Sequence, residues 1–115
     1  MNQPVPNVGP EDVQRVVNRD YPLGERPQVD SLLREFEADS PDTDCTRALL
    51  AALKLADSDI SRLEAELATA RADSRDVIAP AEYPSYLALD KTATRQQIEM
   101  AIESDRAQYC NWLGR

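Results

Sequence analysis

The sequence predicts an all-α fold, a single-domain bundle of about five helices. Three observations carry this. Apolar residues recur at i, i+3, i+4 and i+7 along most of the chain, the period of one helix face. Prolines and Asp/Ser clusters punctuate those stripes where helices start and stop. Only three glycines occur in 115 residues, too few for the many tight turns of an all-β sandwich.

Residues 1–9 read as a flexible N-terminal arm, and 10–115 as the bundle. Gly9-Pro10 opens the first helix, since proline suits the first helical position, and Glu11 and Asp12 complement the positive end of the helix dipole. Val13, Val16, Val17 and Tyr21 form its stripe, which Pro22 ends. Gly24 to Pro27 starts a second helix with Val29, Leu32, Leu33 and Phe36 on one face. The segment 39–44 is a loop in which Asp42 or Thr43 can cap the next helix. That third helix, Thr43 to Ala56, carries Leu49, Leu50, Leu53, Leu55 and several alanines on more than one face, which makes it the expected centre of the bundle. After the short Asp57-Ser58-Asp59 corner, a fourth helix presents Ile60, Leu63, Leu67, Ala70, Ser74 and Val77 as a narrow coiled-coil-like seam, up to Pro80. The seam fits an intramolecular bundle face and leaves self-association open. Tyr83 to Lys91 reads as loop with one helical turn. The last helix spans Ala93 to Leu113, with Ile98, Ala101, Ile102, Asp105, Tyr109 and Trp112 on one face and Asp105 its polar exception.

Composition narrows function. The chain holds 13 basic and 21 acidic residues and no histidine, a formal charge of −8. Such a surface repels phosphate backbones, and the basic residues form no run, so nucleic-acid binding is not expected. No stretch reaches the roughly eighteen apolar residues of a membrane span, and residues 1–9 lack the basic and apolar regions of a secretory signal. Cys45 and Cys110 match neither a disulfide framework nor a zinc spacing. Both sit on helical stripes and read as buried reduced thiols, and the expected compartment is the cytoplasm.

Without histidine the commonest general base is missing, together with the usual activator of a serine or cysteine nucleophile. Glycine-rich phosphate loops, GxSxG and Ser-x-x-Lys are absent as well. Asp42-Thr43-Asp44 and Asp57-Ser58-Asp59 open like calcium loops. Their sixth positions are Arg47 and Arg62 rather than glycine, and their twelfth are Leu53 and Ala68 rather than glutamate. The expectation is a chain without catalytic residues, cofactor or metal.

The segment Arg71 to Pro84, RADSRDVIAPAEYP, departs from ordinary amphipathic helix. On a continuous helix Arg71, Arg75 and Glu82 share a stripe, with Asp73 and Asp76 on its flank. Two arginines at i, i+4 repel each other unless carboxylates intervene, and Asp76 and Glu82 are the local candidates. One reading is an ion-pair lock at a Pro80 kink that pins the Tyr83-Pro84 turn. The other is a recognition surface, since Arg and Tyr are enriched in interface hot spots. Tyr83 and Tyr86 lie close in sequence, and Tyr109 and Trp112 stand one helical turn apart. The loop folding back on them makes either a satellite core or, half open, a peptide groove.

Arg75-Asp76-Val77 followed by Ala81-Glu82-Tyr83-Pro84 resembles a segment of a short, uncharacterised bacterial all-helical protein family, over about residues 45–113. That resemblance implies a helical fold and no activity. Tyr86-Leu87-x-Leu89, with Ala93, Ile98 and Ala101, resembles the opening of a J-domain over fewer than thirty residues. The His-Pro-Asp loop of that family has no counterpart here.

The function expected from the sequence is a non-enzymatic accessory or adaptor module that binds another protein, with a homodimer as one form of this. The candidate residues are Arg71, Arg75, Asp76, Glu82, Tyr83, Tyr86, Tyr109 and Trp112. An alternative is an acidic decoy that occupies a basic nucleic-acid-binding surface, which would lose affinity steeply with salt. An enzyme using arginines and carboxylates would require a concave pocket around Arg71, Arg75, Asp76 and Glu82.

Overall fold

The computed structural model describes residues 8–39 and 45–114. Among them the fold is all α, with seven helices rather than five. These are α1 (Pro10–Asp20), α2 (Arg26–Asp39), α3 (Cys45–Ala56), α4 (Ile60–Ala72), α5 (Arg75–Glu82), α6 (Pro84–Leu87) and α7 (Arg95–Leu113). The expected cap at Asp42 or Thr43, the first aspartate loop and residues 1–7 of the arm lie outside the described residues. Val8 of the arm packs against the core.

Helix α3 is the centre, as its two-sided apolar pattern predicts. It packs on α1, α4 and α5. Ala48, Leu49, Leu50, Ala51, Ala52, Leu53 and Ala56 are all buried, and Leu55 is half-buried. The four alanines matter as much as the leucines, because a methyl side chain lets neighbouring helices approach closely while their own larger residues fill the gaps. Val13, Val16 and Val17 of α1 and Val29, Leu33 and Phe36 of α2 complete this core.

Local chemistry sets the helix ends. The Gly9 N–H donates to Asp12 Oδ2 at 2.9 Å, and the Asp12 N–H returns a bond to the Gly9 carbonyl. The bond from Gly9, with the Arg15 guanidinium 3.0 Å away, holds the Asp12 carboxyl below its ordinary range. At the α3–α4 corner Asp57 and Ser58 both take positive φ (51° and 68°), and Asp59 accepts from the Ser61 and Arg62 amides. The second aspartate triplet is therefore a turn and cap. Thr94 and Gln97 form a reciprocal capping box at the start of α7.

Two sequence expectations are corrected. The seam helix does not run on to Pro80. It breaks at Asp73-Ser74, where Asp73 adopts an extended backbone and its carboxylate accepts from the Arg75 amide at 3.0 Å. A new helix starts there, and Pro80 sits inside it. Only one helical bond, to the Asp76 carbonyl, is lost to the proline ring, and Asp76 is exposed. The seam residues Leu63, Leu67, Ala70 and Val77 are buried within the chain, as one face of an intramolecular bundle. Finally, Cys110 is exposed and Cys45 half-buried, rather than both buried. Cys110 falls one position beyond Tyr109, off the inward stripe of α7.

Helices α6 and α7 pack on each other and join the rest of the fold through α5. The far end of α7 is also held by α1. Arg15 donates to the Leu113 carbonyl, and Arg19 donates to the Trp112 carbonyl at 2.7 Å while lying 5.3 Å over the Trp112 ring. Two cations thus meet the negative end of the α7 dipole.

Candidate binding surface

The structure separates the sequence-predicted residues into an inward cluster, a charged flank and an exposed corner. Glu82 and Tyr109 are wholly buried and Trp112 nearly so. Arg71, Arg75 and Asp76 are exposed.

An ion pair does lock this region, but not the pair expected from local spacing. Glu82 faces away from Arg75 and is gripped by Arg47 of α3, with Nε–Oε2 3.2 Å and Nη2–Oε1 2.6 Å. This two-pronged geometry is the strong form of an arginine–carboxylate contact. Arg75 instead closes on Asp73, at 3.0 and 3.1 Å, and Arg71 approaches Asp39 at 3.4 Å. The Asp73 carboxyl is held below its ordinary range by the Arg75 guanidinium and amide. Glu82 is thus turned into the fold towards Arg47, whereas Arg71, Arg75 and Asp76 stay on the exposed side.

The tyrosines form two separate clusters rather than one. Tyr83 and Tyr86 pair edge to face with centroids 6.5 Å apart, and Tyr109 and Trp112 pair at 5.5 Å. Burial, reinforced by the Glu82 charge and opposed by Arg47, raises the Tyr83 and Tyr109 phenols. The Tyr109 hydroxyl is buried without a hydrogen-bond partner among the described residues.

Sequence reasoning leaves two functional features unassigned. Arg47 lies on the same α3 stripe as Leu50 and Ala51, and a cation on a buried stripe is the signal that it has an inward acid partner. Asp105, the polar exception on α7, is also wholly buried. Its Oδ1 accepts from the Ser85 amide at 2.9 Å and its Oδ2 from the Tyr86 amide at 3.0 Å. These are the orphan donors of the first turn of α6, whose leading residue, Pro84, has none to offer. One carboxylate thereby fastens a four-residue helix that is too short to persist alone.

What Asp105 fastens is an exposed corner. From Tyr83 to Met100 no residue is buried, although the stretch contains Tyr86, Leu87, Leu89, Ile98 and Met100. Tyr86 is 43% exposed, Leu87 54% and Met100 64%. Between α6, the 88–94 connection and the start of α7 runs a groove of about 330 Å³, lined by Tyr86, Leu87, Leu89, Asp90, Lys91, Ala93 and Ile98. Among the described residues no group of acids and thiols is arranged to hold a metal, and no helix is long and apolar enough to cross a membrane. Comparison with protein-family models, curated proteins and solved structures returns no match.

Proposed function

We propose that the chain is a non-enzymatic helical module that binds another protein in the cytoplasm, and that its contact surface is the α6–α7 corner. One observation carries the reading: eighteen consecutive residues, Tyr83 to Met100, bury nothing fully yet are held in fixed helices and turns. Ordering a chain segment costs roughly 1–2 kcal/mol per residue in backbone entropy, and burial within the segment returns little of it. Exposed apolar residues held together on a rigid scaffold are the usual mark of an interaction site. Tyr86 supplies an aromatic anchor beside Leu87.

The contact surface thus moves from the Arg71–Pro84 segment and the C-terminal aromatics expected from the sequence to the Tyr83–Met100 corner. Glu82, Tyr109 and Trp112 serve the scaffold, Arg71, Arg75 and Asp76 are exposed outside the corner, and Tyr86 is the exposed sequence-predicted residue within it. Leu87→Glu tests this directly. Because Leu87 is exposed, the variant is expected to melt within about 0.5 kcal/mol of the parent while losing the proteins that the parent retains from a native-cell extract. A variant that keeps the same proteins removes the corner as the binding surface.

A further inference from the structure

The partner's chemistry can be read from the charges around this corner. The acids that give the chain its charge of −8 stand elsewhere, among them Glu35 and Glu37 on α2, Asp57 and Asp59 at the α3–α4 corner, and Glu64 on α4, all exposed. Between Tyr83 and Met100 the charged residues are Asp90, Lys91, Arg95 and Glu99, two of each sign. Arg95 and Glu99 neutralise each other across one helical turn at 3.1 Å. Lys91 makes no ion pair among the described residues, and the Asp90 carboxylate accepts a long bond from the Thr92 amide, at 3.3 Å. A cationic protein drawn by the −8 field would find its counter-charges on α2 and at the α3–α4 corner rather than here. The corner is instead a locally neutral patch on an acidic molecule. At physiological salt the remaining acids are screened beyond about 8 Å, so two copies meeting at this end escape most of their mutual repulsion.

We propose that the partner is a second copy of this chain, docked corner to corner about a two-fold axis; this rests on the corner being a protein-binding surface. A two-fold interface is self-complementary, so that when residue i of one copy meets residue j of the other, j also meets i. Asp90 and Lys91 are adjacent, opposite in sign and both on the rim of the groove. Across such an axis Lys91 of each copy faces Asp90 of the other, and the two unpaired charges become two ion pairs. Leu87 and Tyr86 of one copy enter the groove of the other beside Ile98. A standard interface takes about 800 Å² from each partner. That is roughly a tenth of the 7079 Å² surface of the chain.

Sedimentation equilibrium of the full chain from about 1 to about 200 µM, a range that spans micromolar dissociation constants, tests the assembly. The expected limit is twice the 12.8 kDa of one chain. Lys91→Asp and Leu87→Glu should each weaken association at least about tenfold with circular dichroism melts unchanged. The exchanged pair Asp90→Lys with Lys91→Asp should restore it, because the two-fold regenerates the same contacts with signs swapped. A chain that stays monomeric throughout overturns the proposal, and so does a dimer indifferent to Lys91→Asp and Leu87→Glu. A photo-crosslinking residue placed at Leu87 in native cells separates this from the broader reading. An adduct of two copies supports both. Adducts with other proteins alone overturn the homodimer and leave the binding surface standing, and no adduct at all overturns both.

Discussion

Replacing Arg47 with methionine removes the charge from the Arg47–Glu82 pair while keeping most of the arginine stem. Glu82 is wholly buried and Arg47 one-fifth exposed (21%), so the substitution strands a carboxylate that water cannot reach. Breaking a buried pair from one side typically costs about 3–5 kcal/mol. The partial exposure of Arg47 argues for the lower end, about 3 kcal/mol, because the intact pair is itself partly screened. With an unfolding entropy of about 2.1 cal/mol/K per residue, a chain of this length loses about 4 °C of Tm per kcal/mol, so Arg47→Met should melt about 12 °C lower. Glu82→Gln should cost less, roughly 1–2 kcal/mol, since a neutral amide is easier to bury than an unpaired charge. The double variant Arg47→Met/Glu82→Gln should then be more stable than Arg47→Met alone. Urea denaturation of the four proteins completes the cycle. A loss below about 1 kcal/mol for Arg47→Met, or a double variant at least as damaged as the sum of the singles, refutes the argument that the pair locks α5 to α3.

Leu53 is buried at the centre of α3, and Leu53→Ala should destabilise by about 2–5 kcal/mol in denaturant melts; a loss near the surface level of about 0.5 kcal/mol contradicts its central place. Asp105→Ala should free the Ser85 and Tyr86 amides, so that hydrogen exchange at these two positions accelerates at least about tenfold more than in α3, and unchanged protection there sinks the capping role. Burial, with Asp20 and Asp59 adding to it, pushes the Tyr21 phenol up to about 12. A raised phenol binds its proton more tightly in the folded state, so its contribution is complete below the unfolded value near 10 and is lost as pH climbs towards about 12. Phenolate absorbance should therefore show Tyr21 ionising together with unfolding in that window, and Tyr21→Phe should flatten the alkaline decline. The Tyr21 and Tyr109 hydroxyls are buried without partners among the described residues, so either phenylalanine variant is expected to be neutral or stabilising by up to about 1 kcal/mol. A loss of more than about 1 kcal/mol would mean that the hydroxyl has a partner.

The elements read well from the sequence wherever a helix both starts and stops on local chemistry. Gly9-Pro10 and the Asp57-Ser58-Asp59 corner mark real N-termini, and the two-sided apolar pattern of α3 identifies the centre of the core. The break at Asp73-Ser74 is masked because Ser74 and Val77 keep the 3–4 spacing across it. Yet Asp73-Ser74 is the same dipeptide as Asp57-Ser58, which turns the chain one helix earlier, so the cue is present. The candidate site is less legible for a different reason. Local spacing offers Glu82 the arginine seven residues before it, whereas its partner stands thirty-five residues away. The two donors to Asp105 are likewise twenty and nineteen residues upstream. A period along one helix says that a charged side chain points inward, but it cannot say which distant element meets it there. The same limit leaves Tyr109 and Trp112 open between a satellite core and a half-open groove, until the hold of Arg15 and Arg19 on the far end of their helix is seen.

That hold at the far end bears on the order in which the molecule assembles. Arg15 and Arg19 reach carbonyls more than ninety residues downstream, whereas α3, α4 and α5 meet near neighbours in the chain. Closing a loop of that length costs about 4 kcal/mol of chain entropy by the logarithmic rule, and the closure is worthwhile only once α1 already presents both guanidinium groups side by side. The α1–α5 body should therefore condense first and the α6–α7 leaf fold down last, behaving in reverse as the earliest unit to detach on unfolding. Two copies clasped at their corners would hold both leaves shut, so dilution alone should speed that detachment.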